Sequence, residues 1–215
     1  MLRPYHSYSD LPHSLPLFPL TGVLLLPRGQ LPLNVFEPRY LEMVDYALTG
    51  DRLIGMIQPA ESEEKIAVPR LTRVGCAGKI VSFRETEDNR YLITLNGICR
   101  FRLTGEMQSS TPWRAGFCEF AGFAGDLAQP RDEVLPRDRL LKALKIYLTS
   151  RDMQADWSSV MTAPGEALIN ALAMMCPFDA AEKQALLEAQ DVQQRASTLI
   201  ALLEIGGESG PTTMN

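Results

Sequence analysis

The sequence predicts an α+β protein: a β-rich, rolled or pseudo-barrel lobe with one inserted helix, followed by a C-terminal α-helical bundle. Three observations lead there. Apolar residues come in short runs or with period two up to residue 123, and with helical period in the last third. Glycines break the strand-like runs where a rolled, antiparallel sheet must bend. Only one segment of the first half, following Glu37-Pro38-Arg39-Tyr40, has helical spacing. The expected organisation is a flexible lead (1–14), a β-rich lobe (15–123), a helical lobe (124–205) and a tail (206–215), with the lobes packed as one continuous unit.

Residues 1–10 are polar and aperiodic. Residues 20–26 form an apolar run, as in a strand buried on both faces. The chain turns at Pro27-Arg28-Gly29 and resumes at Leu31. Glu37 or the residue before it can cap a helix whose first turn holds Pro38, where a missing N–H costs nothing. Tyr40, Leu41, Val44 and Leu48 then share one face, and Gly50 ends the helix. Residues 53–57 read as the next strand, and residues 60–73 as a charged connection. A hairpin of 78–84 and 90–95 turns through 85–89, where Asp88 and Asn89 tolerate left-handed backbone. Residues 98–103 alternate apolar and basic, which puts Arg100 and Arg102 on a solvated strand face; Gly97 marks a bulge or bend. Residues 113–120 make the last strand, and a short linker follows at 129–133.

Beyond the linker Leu140, Leu141, Leu144, Tyr147 and Leu148 form one helical stripe. A second helix covers 166–175 and stops ahead of Pro177. Asp179 with Glu182, and Asp191 with Gln194, have capping-box spacing. The last helix carries Val192, Leu199, Leu202 and Leu203 and meets Gly206-Gly207.

Apolar residues are 46 % of the 215, enough for a real core. A net charge of -5 argues against a nucleic-acid partner, whose footprint would be basic. The four cysteines (Cys76, Cys99, Cys118, Cys176) are scattered and read as reduced, buried thiols. His6 and His13 lie in the lead and pair with no ligand spacing, so no metal is expected. The apolar run near the start lacks a basic cluster ahead of it and a cleavage site after it, and no stretch reaches the ~20 apolar residues of a membrane span. A cytoplasmic location without membrane contact is the expectation.

Chemistry is hard to find. Gly75-Cys-Ala-Gly-Lys-Ile80 has the wrong glycine spacing for a phosphate loop, and Ile80 stands where a hydroxyl is needed. Lys65, Lys79, Lys142, Lys145 and Lys183 all sit in contexts that read as solvated faces, which leaves no desolvated lysine for a serine nucleophile. The pairs Glu63-Glu64 and Asp132-Glu133 read as solvated loop charges. No catalytic residue and no cofactor are expected. Phe36, Tyr40 and Trp113 read first as core residues. For binding, the candidates are the basic turn Arg28, Gly29 and Gln30, the helix start at Glu37 and Arg39, and Trp113.

The opening, LPLFPLTGVLLLPRGQLPLNVFEPRY, resembles the start of the substrate-binding domain at the N-terminus of Lon proteases. Further pieces follow in order: Gly75 to Ile80, Tyr91 to Arg102, Pro112-Trp-Arg-Ala115, and Glu182-Lys-Gln-Ala-Leu-Leu-Glu188 with Arg195 downstream. The resemblance extends over residues 15–205. It implies a β-rich lobe followed by a helical bundle, and a module that handles polypeptides without carrying chemistry. Full Lon proteases continue into an ATPase and a Ser-Lys protease, so this chain resembles the stand-alone members. The implied partner is unfolded or extended polypeptide, with a protease or chaperone as a second partner. Two other readings stand beside it: a small-molecule sensor using a groove between the lobes, and an enzyme of unknown class. The oligomeric state is open.

Overall fold

One long strand organises the β-rich part of the chain. In the computed structural model, which describes residues 5–60, 69–129 and 135–208, the strands are β1 (Ser14–Pro19), β2 (Gln30–Val35), β3 (Leu53–Ile57), β4 (Val74–Glu85), β5 (Tyr91–Met107) and β6 (Arg114–Glu119), with helix α1 (Pro38–Thr49) between β2 and β3. The sheet order is β2-β5-β4-β3-β1-β6, and β6 also pairs back onto β5. The 17 residues of β5 make this possible. Tyr91 to Asn96 pair with β2, Arg102 to Met107 pair with β6, and β4 lies along the other side. The return of β6 onto β5 rolls the sheet, but the six strands do not form one closed barrel, since β2 pairs with β5 alone among the described strands.

The sheet is mixed, whereas the sequence suggested an antiparallel one. β1 runs parallel to β3, and parallel neighbours need a long crossover, which β2 and α1 provide. The expected strand at 20–26 is also corrected. The strand is Ser14–Pro19; Leu24, Leu25 and Leu26 are buried without joining a ladder. The chain leaves the sheet after the Leu20 N–H bonds Ile57 O, and Gly22 turns with φ +72 while its N–H bonds Gln58 Oε1 at 2.9 Å. Leu26 then crosses β5 at Gly97.

That crossing leaves no room for a side chain. A Cβ on Gly97 would sit 1.9 Å from Leu26 O. Gly97 O accepts the Arg28 N–H, and its N–H donates to Gly29 O, each at 2.8 Å. The β4–β5 register shifts beside it, between Ala77 and Gly78, so the glycine does mark a bulge.

In α1 the Glu37 carbonyl accepts from the Tyr40 and Leu41 N–H groups, while its side chain makes no cap. The buried face is Tyr40, Met43, Val44 and Ala47; the expected Leu41 and Leu48 are only half-buried. Tyr40 stacks on Phe18 at 4.3 Å. The left-handed residue after the helix is Arg52 (φ 60), not Gly50. Part of the expected lead is folded: Tyr8–Asp10 is a 3-10 turn closed by a Ser7/Asp10 capping box, and Leu11 joins the core with Leu15, Leu17, Phe101 and Phe120.

The chain divides into two compact units, residues 1–129 and 130–215. The second contains α2 (Arg137–Ser150), α3 (Trp157–Thr162), α4 (Gly165–Met175), α5 (Ala180–Glu188) and α6 (Val192–Glu208). Asp179 and Glu182 form the expected capping box of α5. At α6 Asp191 caps the Gln194 N–H, but Gln194 Oε1 reaches the N–H of Gln190 at 2.6 Å. Gly206 and Gly207 do not end α6 but lie inside it, and a Cβ at either would fall within 3 Å of Tyr147 or Ile146 of α2. Lys183 is not the solvated residue the sequence suggested. It is 7 % exposed and its Nζ donates to Met174 O at 3.1 Å, capping a terminal carbonyl of α4. Burial lowers its pKa. Arg195, more deeply buried, donates from Nε to Leu186 O and from a terminal nitrogen to Asn170 Oδ1, tying α4, α5 and α6 together. The connection at 61–68, Lys65, Glu63, Glu64, the linker residues 130–134 with Asp132 and Glu133, residues 1–4 and the tail from 209 lie outside the described residues.

Gly97→Ala forces the Leu26 backbone off β5 and should lower stability by about 3 kcal/mol or more in urea melts. Gly105→Ala, with nothing within 4 Å of the added carbon, should be neutral or stabilise by up to about 1 kcal/mol.

Candidate functional site

The six residues singled out from sequence fall into two places. Arg28, Gly29, Gln30, Glu37 and Arg39 bracket strand β2, three at its start and two just past its end. Trp113 lies elsewhere, at the start of β6, with its ring 4.9 Å from Tyr46 of α1.

Arg28 sits at φ 64 and is exposed. Its guanidinium is held by the carbonyls of Asp126 (2.5 Å) and Ala128 (3.4 Å). The basic tip therefore clasps the chain's own residues 126–128. Gly29 donates to Leu26 O and belongs to the Gly97 crossing. Gln30 is exposed at the first position of β2. Glu37 pairs with Arg39 at 2.8 Å, and the Arg39 guanidinium lies 4.5 Å from the centre of the Tyr40 ring. Trp113 is 7 % exposed, and its Nε1 has no hydrogen-bond partner. It is a packed anchor with an unpaired N–H, not an open contact surface.

β2 itself is the more informative feature. It alternates exposed and half-buried residues from Gln30 to Asn34 and ends on the buried Val35. Pro32 has no N–H, so its backbone must face away from β5. Alternation then points the N–H and C=O of Gln30 and Asn34 outward too, while Leu31 and Leu33 bond β5. The edge ends at Phe36, which the sequence assigned to the core but which is 61 % exposed. Phe36 lies one residue beyond the strand and ahead of α1, on neither's buried face, and the Arg90 guanidinium sits 5.8 Å from its ring centre. Phe83 on β4 is a second exposed aromatic residue of this three-strand arm, packed edge-on against Tyr91. Its alternation within 78–84 was visible in the sequence; its exposure was not.

The other correction concerns Arg100, expected on a solvated face. It is 3 % exposed and forms a buried fork with Asp126: Nε to Oδ2 at 2.9 Å and a terminal nitrogen to Oδ1 at 2.8 Å. Asp126 Oδ2 also accepts the Arg100 N–H. Burial opposes the Arg100 charge, yet the hydrogen bonds and charge of Asp126 raise its pKa above the usual value. Arg102 is exposed as expected. The 3-10 stretch Ala121–Leu127 that supplies Asp126 has no periodic signature.

The four cysteines are buried and stand outside any disulfide. Burial pushes the thiols of Cys99 and Cys118 up to about 12 and that of Cys176 up to about 11, the opposite of an activated nucleophile. Among the described residues no group of His, Cys, Asp and Glu could hold a metal ion. No described helix is long and apolar enough to cross a membrane.

Residues 14–204 match the family described as the ATP-dependent protease La (LON) substrate-binding domain. Lon protease 2 of Myxococcus xanthus is 25 % identical over 198 residues, covering 90 % of this chain and 24 % of that protein. Lon protease 2 of Sorangium cellulosum is 28 % identical over 207 residues, covering 88 % and 24 %. The chain thus spans about a quarter of the length of these curated relatives. The solved Lon N-terminal domain protein from Xanthomonas campestris matches with a TM-score of 0.60 at 24 % identity, covering 87 % of this chain and 97 % of that one. The N-terminal domain of the Mycobacterium avium complex Lon protease gives 0.61 at 16 %, covering 88 % and 97 %. At these identities the likeness to the two structures is one of fold.

The thiols set a pH dependence. Their folded pKa values lie above the unfolded value of about 8.5. Their contribution to stability is whole below that pH and is lost as pH rises towards 11 to 12. Urea melts should show stability falling from pH 8 to pH 10, and Cys118→Ala should make the fall shallower. In the same pH 8 buffer the native protein should resist iodoacetamide, and the unfolded chain should take up label at all its cysteines.

Proposed function

The chain belongs to the LON substrate-binding domain family, and on that premise we propose that it is a non-catalytic polypeptide-binding module, a substrate-recognition or adaptor element. The observation that carries this reading to a place on the molecule is the outward edge of β2, ending in the exposed Phe36. An extended chain laid along such an edge gains main-chain hydrogen bonds without a sequence requirement. Gln30 and Asn34 offer both groups, and Pro32 only its carbonyl. Phe36 would take an apolar side chain of the client, with Arg39 and Glu37 beside it. Arg28, Gly29 and Trp113 act behind this edge by holding the turn and α1 in place.

The affinity should be weak. A client loses roughly 1–2 kcal/mol of backbone freedom for each residue it orders, and Pro32 removes one donor. A Kd on the order of micromolar, or about -8 kcal/mol, is the expectation. A protease or chaperone receiving the held chain completes the proposal. Buried thiols outside any disulfide suit a reducing compartment, so the cytoplasm is the proposed place of work.

The test uses fluorescently labelled, reduced and carboxymethylated casein, read by anisotropy. Asn34→Pro removes an outward N–H, and Phe36→Ser the exposed ring. Each should weaken binding several-fold, up to about tenfold for a hydrogen bond at the upper end of its range, with an unchanged melting temperature. Wild-type binding that neither substitution affects removes the β2 edge as the site; no wild-type binding removes the function. The pure chain should neither hydrolyse ATP nor cleave casein, and turnover lost with a single Ser→Ala change would overturn the non-catalytic reading.

A further inference from the structure

The C-terminal end of α2 is shaped by a left-handed residue. Asp152 adopts φ 53. Its N–H bonds Thr149 O at 3.3 Å, and the Met153 N–H reaches back to Leu148 O at 2.9 Å. This pair of bonds is a Schellman ending, in which the residue after the turn packs on the last apolar residue of the helix. Met153 is thereby tied by its backbone to Leu148, and both line the same pocket. The chain runs on to Asp156, whose carboxylate accepts from the N–H and hydroxyl groups of Ser158 and Ser159 and starts α3. Trp157 is set at the first position of that helix.

A pocket of about 240 Å³ lies between these pieces, lined by Leu148, Met153 and Trp157 on its apolar side and by Lys145, Thr149 and Gln154 on its polar side. Trp157 and Met153 stay 39 % and 38 % exposed. The Thr149 hydroxyl is spent on Lys145 O. The Asp156 carboxylate is occupied at the head of α3. Among the described residues Lys145 makes no ion pair, although Arg139 on the same helix is matched by Glu204. An uncompensated ammonium thus borders an apolar pocket, in a chain whose net charge is -5. The volume is below the roughly 300–1,000 Å³ of drug-sized sites, so it suits one side-chain-sized group.

We propose that this pocket binds an aromatic or branched apolar group that carries a carboxylate, with Lys145 on the carboxylate and Leu148, Met153 and Trp157 around the apolar part. Two sources share that chemistry: the C-terminal residue of a polypeptide, and a free small carboxylic acid. The proposal stands apart from strand addition at β2, since every residue it uses lies between 145 and 157.

Isothermal calorimetry on the full chain tests it with three probes: acetyl-Gly-Gly-Phe with a free carboxylate, the same peptide amidated, and 3-phenylpropionate. The acid peptide should bind with a Kd on the order of 1 mM or tighter. The amide should bind about fivefold more weakly, the scale of a partly exposed charge pair. Lys145→Met should bring the acid down to the amide's affinity and leave the amide unchanged, and Lys142→Met should alter neither. Raised salt should weaken the acid alone. If 3-phenylpropionate binds as well as the acid peptide, the ligand is a free acid; if it binds clearly less well, the ligand is a polypeptide C-terminus. Equal affinity for acid and amide, indifference to Lys145→Met, or no heat at 10-fold above the expected Kd overturns the proposal. Asn34→Pro should leave all these titrations unchanged, which separates this outcome from the fate of the β2 edge.

Discussion

The missing side chain at Gly97 is the constraint on which the β-rich unit depends. Leu26 can cross β5 only because nothing projects there, and a Cβ would come within 1.9 Å of its carbonyl. The crossing lets Arg28 and Gly29 bond both polar groups of Gly97. That fixes where β2 begins, and so its register on β5. Register decides which backbone groups face outward. A shift of one residue would turn the outward edge from Gln30, Pro32 and Asn34 to Leu31 and Leu33, and would demand an N–H that Pro32 lacks. The geometry of the proposed binding edge is therefore set at the crossing of Leu26 over Gly97, ahead of the strand itself, by a steric fact.

Proline at the centre of that edge has two consequences. It blunts the strand against indiscriminate pairing, as edge strands require. It also leaves carbonyl acceptors and flanking donors, so pairing is weakened and not abolished. A module that must hold extended chains and release them needs that compromise. Full pairing along a flat edge would invite aggregation.

Long cations do similar work in both units. Arg100 bonds Asp126 with its side chain and backbone, Lys183 caps α4, and Arg195 reaches two neighbouring helices. Burying these charges is costly, and replacing a buried pair by apolar groups is often no worse for stability. What the pairs supply is direction: a carboxylate or carbonyl at one position, met by a side chain of one length. Asp126 and Ala128 also hold Arg28, so the stretch after β6 is pinned to β5 and to the turn before β2 at once.

Local signals were legible in the sequence wherever the cause was local. The turn at Pro27-Arg28-Gly29, the helix begun by Glu37-Pro38, the hairpin with Asn89 left-handed, and the Asp179/Glu182 box each rest on residues within a few positions of one another, whose preferences are intrinsic. Other features needed partners far along the chain. Arg100 reads as a solvated strand residue until Asp126, 26 residues on, closes over it. Lys183 reads as a surface charge until the C-terminal end of α4 arrives beside it. Phe36 reads as core, and is exposed because it falls between two elements whose buried faces point elsewhere. The parallel pairing of β1 with β3, and the burial of Leu24 to Leu26 without a ladder, depend on the path of a crossover that no short window of sequence contains. The sequence by itself determined the two kinds of structure, the family resemblance and the lack of recognisable catalytic motifs, since these rest on periodicity and ordered motifs. Tertiary structure alone decided which edge stays open and which charges are buried, because burial and pairing are properties of contacts between segments distant in the chain.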